Sequence, residues 1–168
     1  MKVVGDLLDS YPMFGLCLVH AHCTLEPGEI MLASGHVSEP VLLTDTVKYY
    51  PERWTSAGRA YKFRTEPTEQ PPTELVSCFR AAVGELYEVL GLYYAGTGKQ
   101  IHQLERTEGR RNVLEDFCDA NMNVERLETN WKDFGSGNPV TMTCVIFCDT
   151  TTTRSGGYHK NTKTHYRQ

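Results

Sequence analysis

Residues 13–32 read MFGLCLVHAHCTLEPGEIML, and the rest of the chain is read outward from them. The segment Leu16 to Leu25 has the pattern of a strand. Alternation along an extended backbone places Leu16, Leu18, His20 and His22 on one face, with Cys17, Val19, Ala21 and Cys23 on the other. Two imidazoles two residues apart on a strand point the same way, about 6–7 Å apart at the backbone. That spacing suits a metal, a proton relay or the polar rim of a core. Glu26-Pro-Gly-Glu29 follows as a reversal, with proline at the first central position and glycine at the second, as a type II turn requires. Ile30 to Ala33 then reads as a returning strand that carries Glu29 back beside the histidines.

On the C-terminal side, Ser34-Gly-His36 breaks that strand and Val41 to Tyr50 resumes as another. Residues 50–58, YPERWTSAG, read as a loop. Ala60 to Thr65 alternates Tyr61 and Phe63 against Lys62 and Arg64, a half-buried strand. After a proline-rich connector, Leu75, Phe79, Ala82, Leu86, Val89 and Tyr93 recur at spacings of three and four. Thr73 as N-cap and Gly91 as terminator bound a helix over Thr73 to Leu90. Ile101 to Arg106 is a strand with a poor apolar face, suited to an edge or to lining a polar cavity, and Thr107 to Arg110 turns it. From Val113 to Phe134 the reading is a strand or short helix first, then a second, shorter helix from Val124 to about Trp131 capped by Asn123, on the helical period of Leu114, Phe117, Asn121, Val124, Leu127, Trp131 and Phe134 that Asn121-Met-Asn123 interrupts. Val140 to Cys148 is the second strong strand. On the N-terminal side, neither period settles Lys2 to Leu8.

The expected fold is therefore α+β: a mainly antiparallel sheet with one long amphipathic helix packed across it and a second shorter helix. At 168 residues the chain fits one domain, with residues 155–168 as a peripheral strand or tail. Hydrophobic residues make up 40% and charged ones 23%, the balance of a soluble globular protein. A formal charge of -4 gives no support to nucleic-acid or anionic-membrane binding, and no apolar run reaches the roughly 18 residues of a membrane span. Asp6 and Asp9 sit badly in a secretion signal. The expected setting is cytoplasmic, with the thiols reduced and Cys78 and Cys144 buried.

A His-x-His pair needs a third metal ligand, for which Cys23, Glu26, Glu29 and His36 are near in sequence and His102 and His159 distant. Neither His-Glu-x-x-His nor Cys-x-x-Cys occurs, so ordinary histidines outweigh a metal centre, and neither metal ligands nor a cofactor are assigned. A Cys23 nucleophile is weaker still, because His22 lies on the opposite face. The leading functional reading is a small enzyme using histidine acid–base chemistry on a small molecule, as an isomerase, cyclase or hydrolase. Its expected catalytic groups are His20, His22, Glu29 and His102, and Tyr61 and Arg106 are the expected ligand-binding residues. The alternatives are a non-catalytic ligand- or protein-binding module anchored by aromatics such as Tyr49, Tyr50 and Trp54, or a histidine-ligated metal protein. The expected partners are a small molecule and, in a homo-oligomer, a second copy of the chain.

Overall fold

The computed structural model describes residues 2–21, 23–98, 103–116, 126–136 and 140–145. His22, His102, the Asn123 cap and the 155–168 tail lie outside the described residues. Among the described residues, ten strands form a closed barrel. In chain order they are β1 Phe14–Leu18, β2 Glu29–Ser34, β3 Val37–Leu42, β4 Tyr50–Thr55, β5 Ala60–Arg64, β6 Leu90–Tyr94, β7 Gln103–Glu108, β8 Arg111–Asp116, β9 Arg126–Lys132 and β10 Val140–Val145. Round the barrel the order is β1-β6-β4-β5-β2-β3-β8-β7-β10-β9, with β9 pairing back to β1. The pairings are antiparallel except β2 with β5 and β10 with β7. The α+β class and the mainly antiparallel sheet hold.

Two helices, α1 Lys2–Asp9 and α2 Thr73–Val83, cover one side of this barrel. Because strand side chains alternate, Phe14, Leu16 and Leu18 of β1, Leu90 and Leu92 of β6 and Trp54 of β4 point outward. There they join Val4, Leu8, Leu75, Phe79 and Val83 in one apolar cluster. Phe14 meets Trp54 edge to face at 6.0 Å between centroids. The alternate positions, Cys17, Arg53 and Tyr93, are also buried, so these strands are covered on both faces. Gly15 is required here: a Cβ would overlap the Tyr93 ring and the Trp131 carbonyl.

Several expectations are corrected by barrel closure. β1 ends at Leu18 rather than Leu25; one more backbone bond, Val19 N–H to the Val89 carbonyl, follows before the chain leaves the sheet. His20 therefore does not sit on a continuing strand. The turn at 26–29 forms, with Gly28 at φ 82° and Glu29 N–H donating to the Glu26 carbonyl, but β2 pairs with β3 and β5 rather than with β1. Helix α2 stops at Val83, where Gly84 takes φ 54°; a 3-10 turn over Gly84–Glu88 leads into β6. Leu86, on the expected stripe, is exposed, because Leu90 and Leu92 are used as strand residues beside β1. Residues 43–49 are not a strand, while the expected loop at 50–58 supplies β4. Pro51 is tolerated because β6 pairs with β4 only from Arg53 onward, leaving β5 as its neighbour at Pro51. The expected second helix is strand β9, whose pairings to β1 and β10 close the barrel. Cys78 is exposed rather than buried; Cys17 and Cys23 are buried free thiols. Among the described residues no helix is long and apolar enough to cross a membrane.

Candidate functional site

The barrel interior is polar. Its arrangement starts from two irregularities in the β4–β5 ladder, where Pro51 faces Phe63, Arg53 faces Lys62 and Trp54 faces Ala60. Glu52 on one strand and Tyr61 on the other are each skipped. A bulge of this kind sets two residues against one and re-aims side chains. Arg53 and Lys62 thereby face each other, both buried, while Tyr61 places its hydroxyl 3.6 Å from Cys17 Sγ inside the barrel. Trp54, the next residue, still reaches the outer core.

From the opposite wall, β7 contributes Glu105 and Thr107, and β8 contributes Asn112; all three are buried. Asn112 Nδ2 donates to Glu105 Oε1 at 2.5 Å, and Thr107 Oγ1 donates to Asn112 Oδ1 at 3.4 Å. Arg53 Nη2 lies 3.8 Å from the same Glu105 oxygen. The Asn130 amide on β9, oriented by its hydrogen bonds, accepts from Arg53 Nη2 at 3.2 Å and donates to the Thr129 carbonyl at 2.7 Å. Burial would weaken the Arg53 cation; the charge of Glu105, with that of Glu52, opposes this, and the guanidinium stays above its ordinary range. Desolvation pushes the Cys17 thiol up and the Tyr61 phenol well up, so both remain protonated at neutral pH.

His20 enters this network from the segment after β1. Its side chain is 1% exposed, and Nε2 lies 3.8 Å from Glu105 Oε2. Nδ1 is 2.9 Å from the Leu18 carbonyl. A carbonyl only accepts, so Nδ1 carries the proton in that bond and Nε2 is the nitrogen turned toward Glu105. The early end of β1 makes this bond possible, since Leu18 is where the chain bends away.

Beside the network lies a small pocket that opens on one side. His20, Arg53, Lys62, Asn112, Ser38 and Tyr61 form its polar wall, and Ala21, Cys23, Leu25 and Met31 its less polar rim. The rim segment is held down from outside. Arg110, at the tip of the β7–β8 hairpin, donates to the Thr24 carbonyl at 2.8 Å and to both Glu29 oxygens, at 3.2 Å to Oε1 and 2.5 Å to Oε2.

Of the residues expected from the sequence, His20 and Tyr61 are brought together at this cavity. Glu29 instead serves the Arg110 clamp and accepts from the Glu26 N–H at 2.8 Å. Arg106 is turned outward and pairs with Glu115 at 3.8 Å, both substantially exposed. His22 and His102 lie outside the described residues. Arg53, Lys62, Glu105 and Asn112 were not anticipated. The available signal for Glu105 was the poor apolar face of its strand, which suited a polar cavity; Arg53 had none, since its segment reads as a loop. Among the described residues, no group of three or more His, Cys, Asp or Glu is placed to hold a metal. No protein-family model, curated protein or solved structure matches the chain.

Proposed function

We propose that the barrel interior takes up a small organic molecule and that His20 exchanges a proton with it, oriented by the Leu18 carbonyl and by Glu105. The observation that carries this reading is a buried network of the His20, Glu105, Arg53 and Asn112 side chains bordering a pocket. Buried ion pairs are a poor way to stabilise a fold, because desolvation consumes most of the Coulombic gain and apolar residues of the same volume do as well. Charges retained in such a place are better accounted for by chemistry. A histidine with one nitrogen held by a carbonyl and the other facing a carboxylate is oriented for proton transfer. The reaction class is thus an acid–base one, such as isomerisation, cyclisation or hydrolysis.

The test is deuterium incorporation. Small carbonyl compounds and organic acids are incubated with the protein in D2O and examined by mass spectrometry. Exchange catalysed by the wild type and lost in His20→Gln supports the reading. Compounds that bind both proteins equally and are exchanged by neither would instead favour the non-catalytic ligand-binding module, which uses the same cavity without proton transfer.

A further inference from the structure

We infer that residues 23–26 form a lid over the pocket, that Arg110 is its latch, and that His20 becomes accessible when the latch lets go. This rests on the reading of the pocket as the place where His20 acts, and adds how that place is reached. The pocket is small as it stands, and the His20 side chain on its wall is 1% exposed. A molecule that is to meet Nε2 of His20 therefore needs part of the wall to move. Cys23 and Leu25 belong to that wall, and they lie between β1 and β2 in a stretch that is not built into a strand.

The anchoring of this stretch points the same way. Its two ends are tied to the barrel by backbone bonds: Val19 N–H donates to the Val89 carbonyl at 2.8 Å, and Leu43 N–H donates to the Gly28 carbonyl at 2.8 Å. Its middle is held by a side chain from across the barrel, since Arg110 donates to the Thr24 carbonyl and to both oxygens of Glu29. The Arg110 side chain is 49% exposed. Ion pairs at the surface contribute little to stability and are screened by salt. Release needs only a rotation of the Arg110 side chain, while the β7–β8 pairing from Gln103 to Asp116 stays in place. The lid can thus open locally with the barrel closed, as segments of low local stability do.

Diethyl pyrocarbonate, a small neutral reagent that acylates unprotonated imidazole nitrogens, tests this on the full chain. Peptide mass spectrometry reads the rate at His20, with the exposed His36 as internal reference. In the wild type His20 is expected to react more slowly than His36. Arg110→Ala should raise the ratio of the His20 rate to the His36 rate several-fold, and added sodium chloride should raise it in the wild type. Cys17, buried inside the barrel, should stay protected from iodoacetamide in both. Equal rates at the two histidines in the wild type overturn the lid, because the pocket is then open as it stands. A ratio that Arg110→Ala leaves unmoved overturns the latch, and so does a rise matched by exposure of Cys17, which means that the barrel opens as a whole. If Arg110→Ala does not fold, the salt series decides, and a flat ratio overturns the latch. These rates do not depend on turnover: lost deuterium exchange with a responsive ratio sinks the proposed function and leaves the lid, and the converse result does the opposite.

Discussion

Arg53 and Lys62 face each other across β4 and β5 at the single register position between two bulges, one leaving out Glu52 and the other Tyr61. That arrangement turns an outwardly ordinary polar strand pair into part of the barrel interior. It also places a guanidinium 3.8 Å from Glu105, which reaches in from the far wall.

Removing the charge of Glu105 should therefore be costly. Glu105→Gln leaves Arg53 buried without its principal counter-charge, and the expected loss is about 3–5 kcal/mol in urea unfolding. The double variant Arg53→Met, Glu105→Leu should recover much of that, because neither charge is then left alone. A double variant no more stable than the single one would mean that the network is itself a main support of the barrel.

Phe79 is fully buried in the cluster between α2 and the barrel. Phe79→Ala should lose about 3–5 kcal/mol through lost burial and the cavity left behind. Leu86→Ala, at an exposed position on the same expected stripe, should change stability by no more than about 0.5 kcal/mol. Similar losses at both sites would contradict the end of the helix at Val83.

The Arg110 clamp predicts a thiol reactivity pattern. Cys23 is buried at the cavity rim, and desolvation raises its pKa. Arg110→Ala should free the 19–28 segment and speed iodoacetamide modification of Cys23 several-fold, while exposed Cys78 reacts at an unchanged rate and Cys17 stays protected. Peptide mass spectrometry of timed, quenched samples reads all three. An unchanged Cys23 rate would show that the clamp does not hold the rim.

The same clamp has a pH signature. Hydrogen bonds from Arg110 and then from the Glu26 N–H hold the Glu29 carboxyl below its ordinary 4.5. A group depressed in the folded state adds stability that is present in full above the unfolded value and lost as pH falls through the folded one. The melting-temperature gap between wild type and Arg110→Ala should thus be constant from neutral pH down to the ordinary carboxyl range and should shrink below it. A gap that widens on acidification would contradict the assignment.

Local signals in the sequence were enough for some of this architecture. The start of α2 follows from the spacing of Leu75 and Phe79 after two prolines. The turn at 26–29 follows from Pro27-Gly28, the β7–β8 reversal from Glu108-Gly109, and β5 as a strand from the alternation of Tyr61 and Phe63 with Lys62 and Arg64, although Lys62 is its buried position and Tyr61 is skipped in the pairing. Each depends on interactions within a few residues, where periodicity and turn chemistry act directly.

What those signals could not convey was closure. Strand β9 keeps a helical spacing at Leu127 and Trp131, yet it is extended because β1 and β10 each need a partner; long-range pairing overrides a local period. Strand β4 hides behind Pro51, whose position is harmless only once β6 is known to begin its pairing at Arg53. The site has the same origin. By itself the sequence determined an α+β chain, a mainly antiparallel sheet, and His20 and Tyr61 as candidates. The tertiary structure alone decided that Lys62, Arg53 and Glu105 are inside. A charged residue on an alternating strand has the same local pattern whether it meets water or a buried counter-charge, and a one-residue bulge is enough to choose between them.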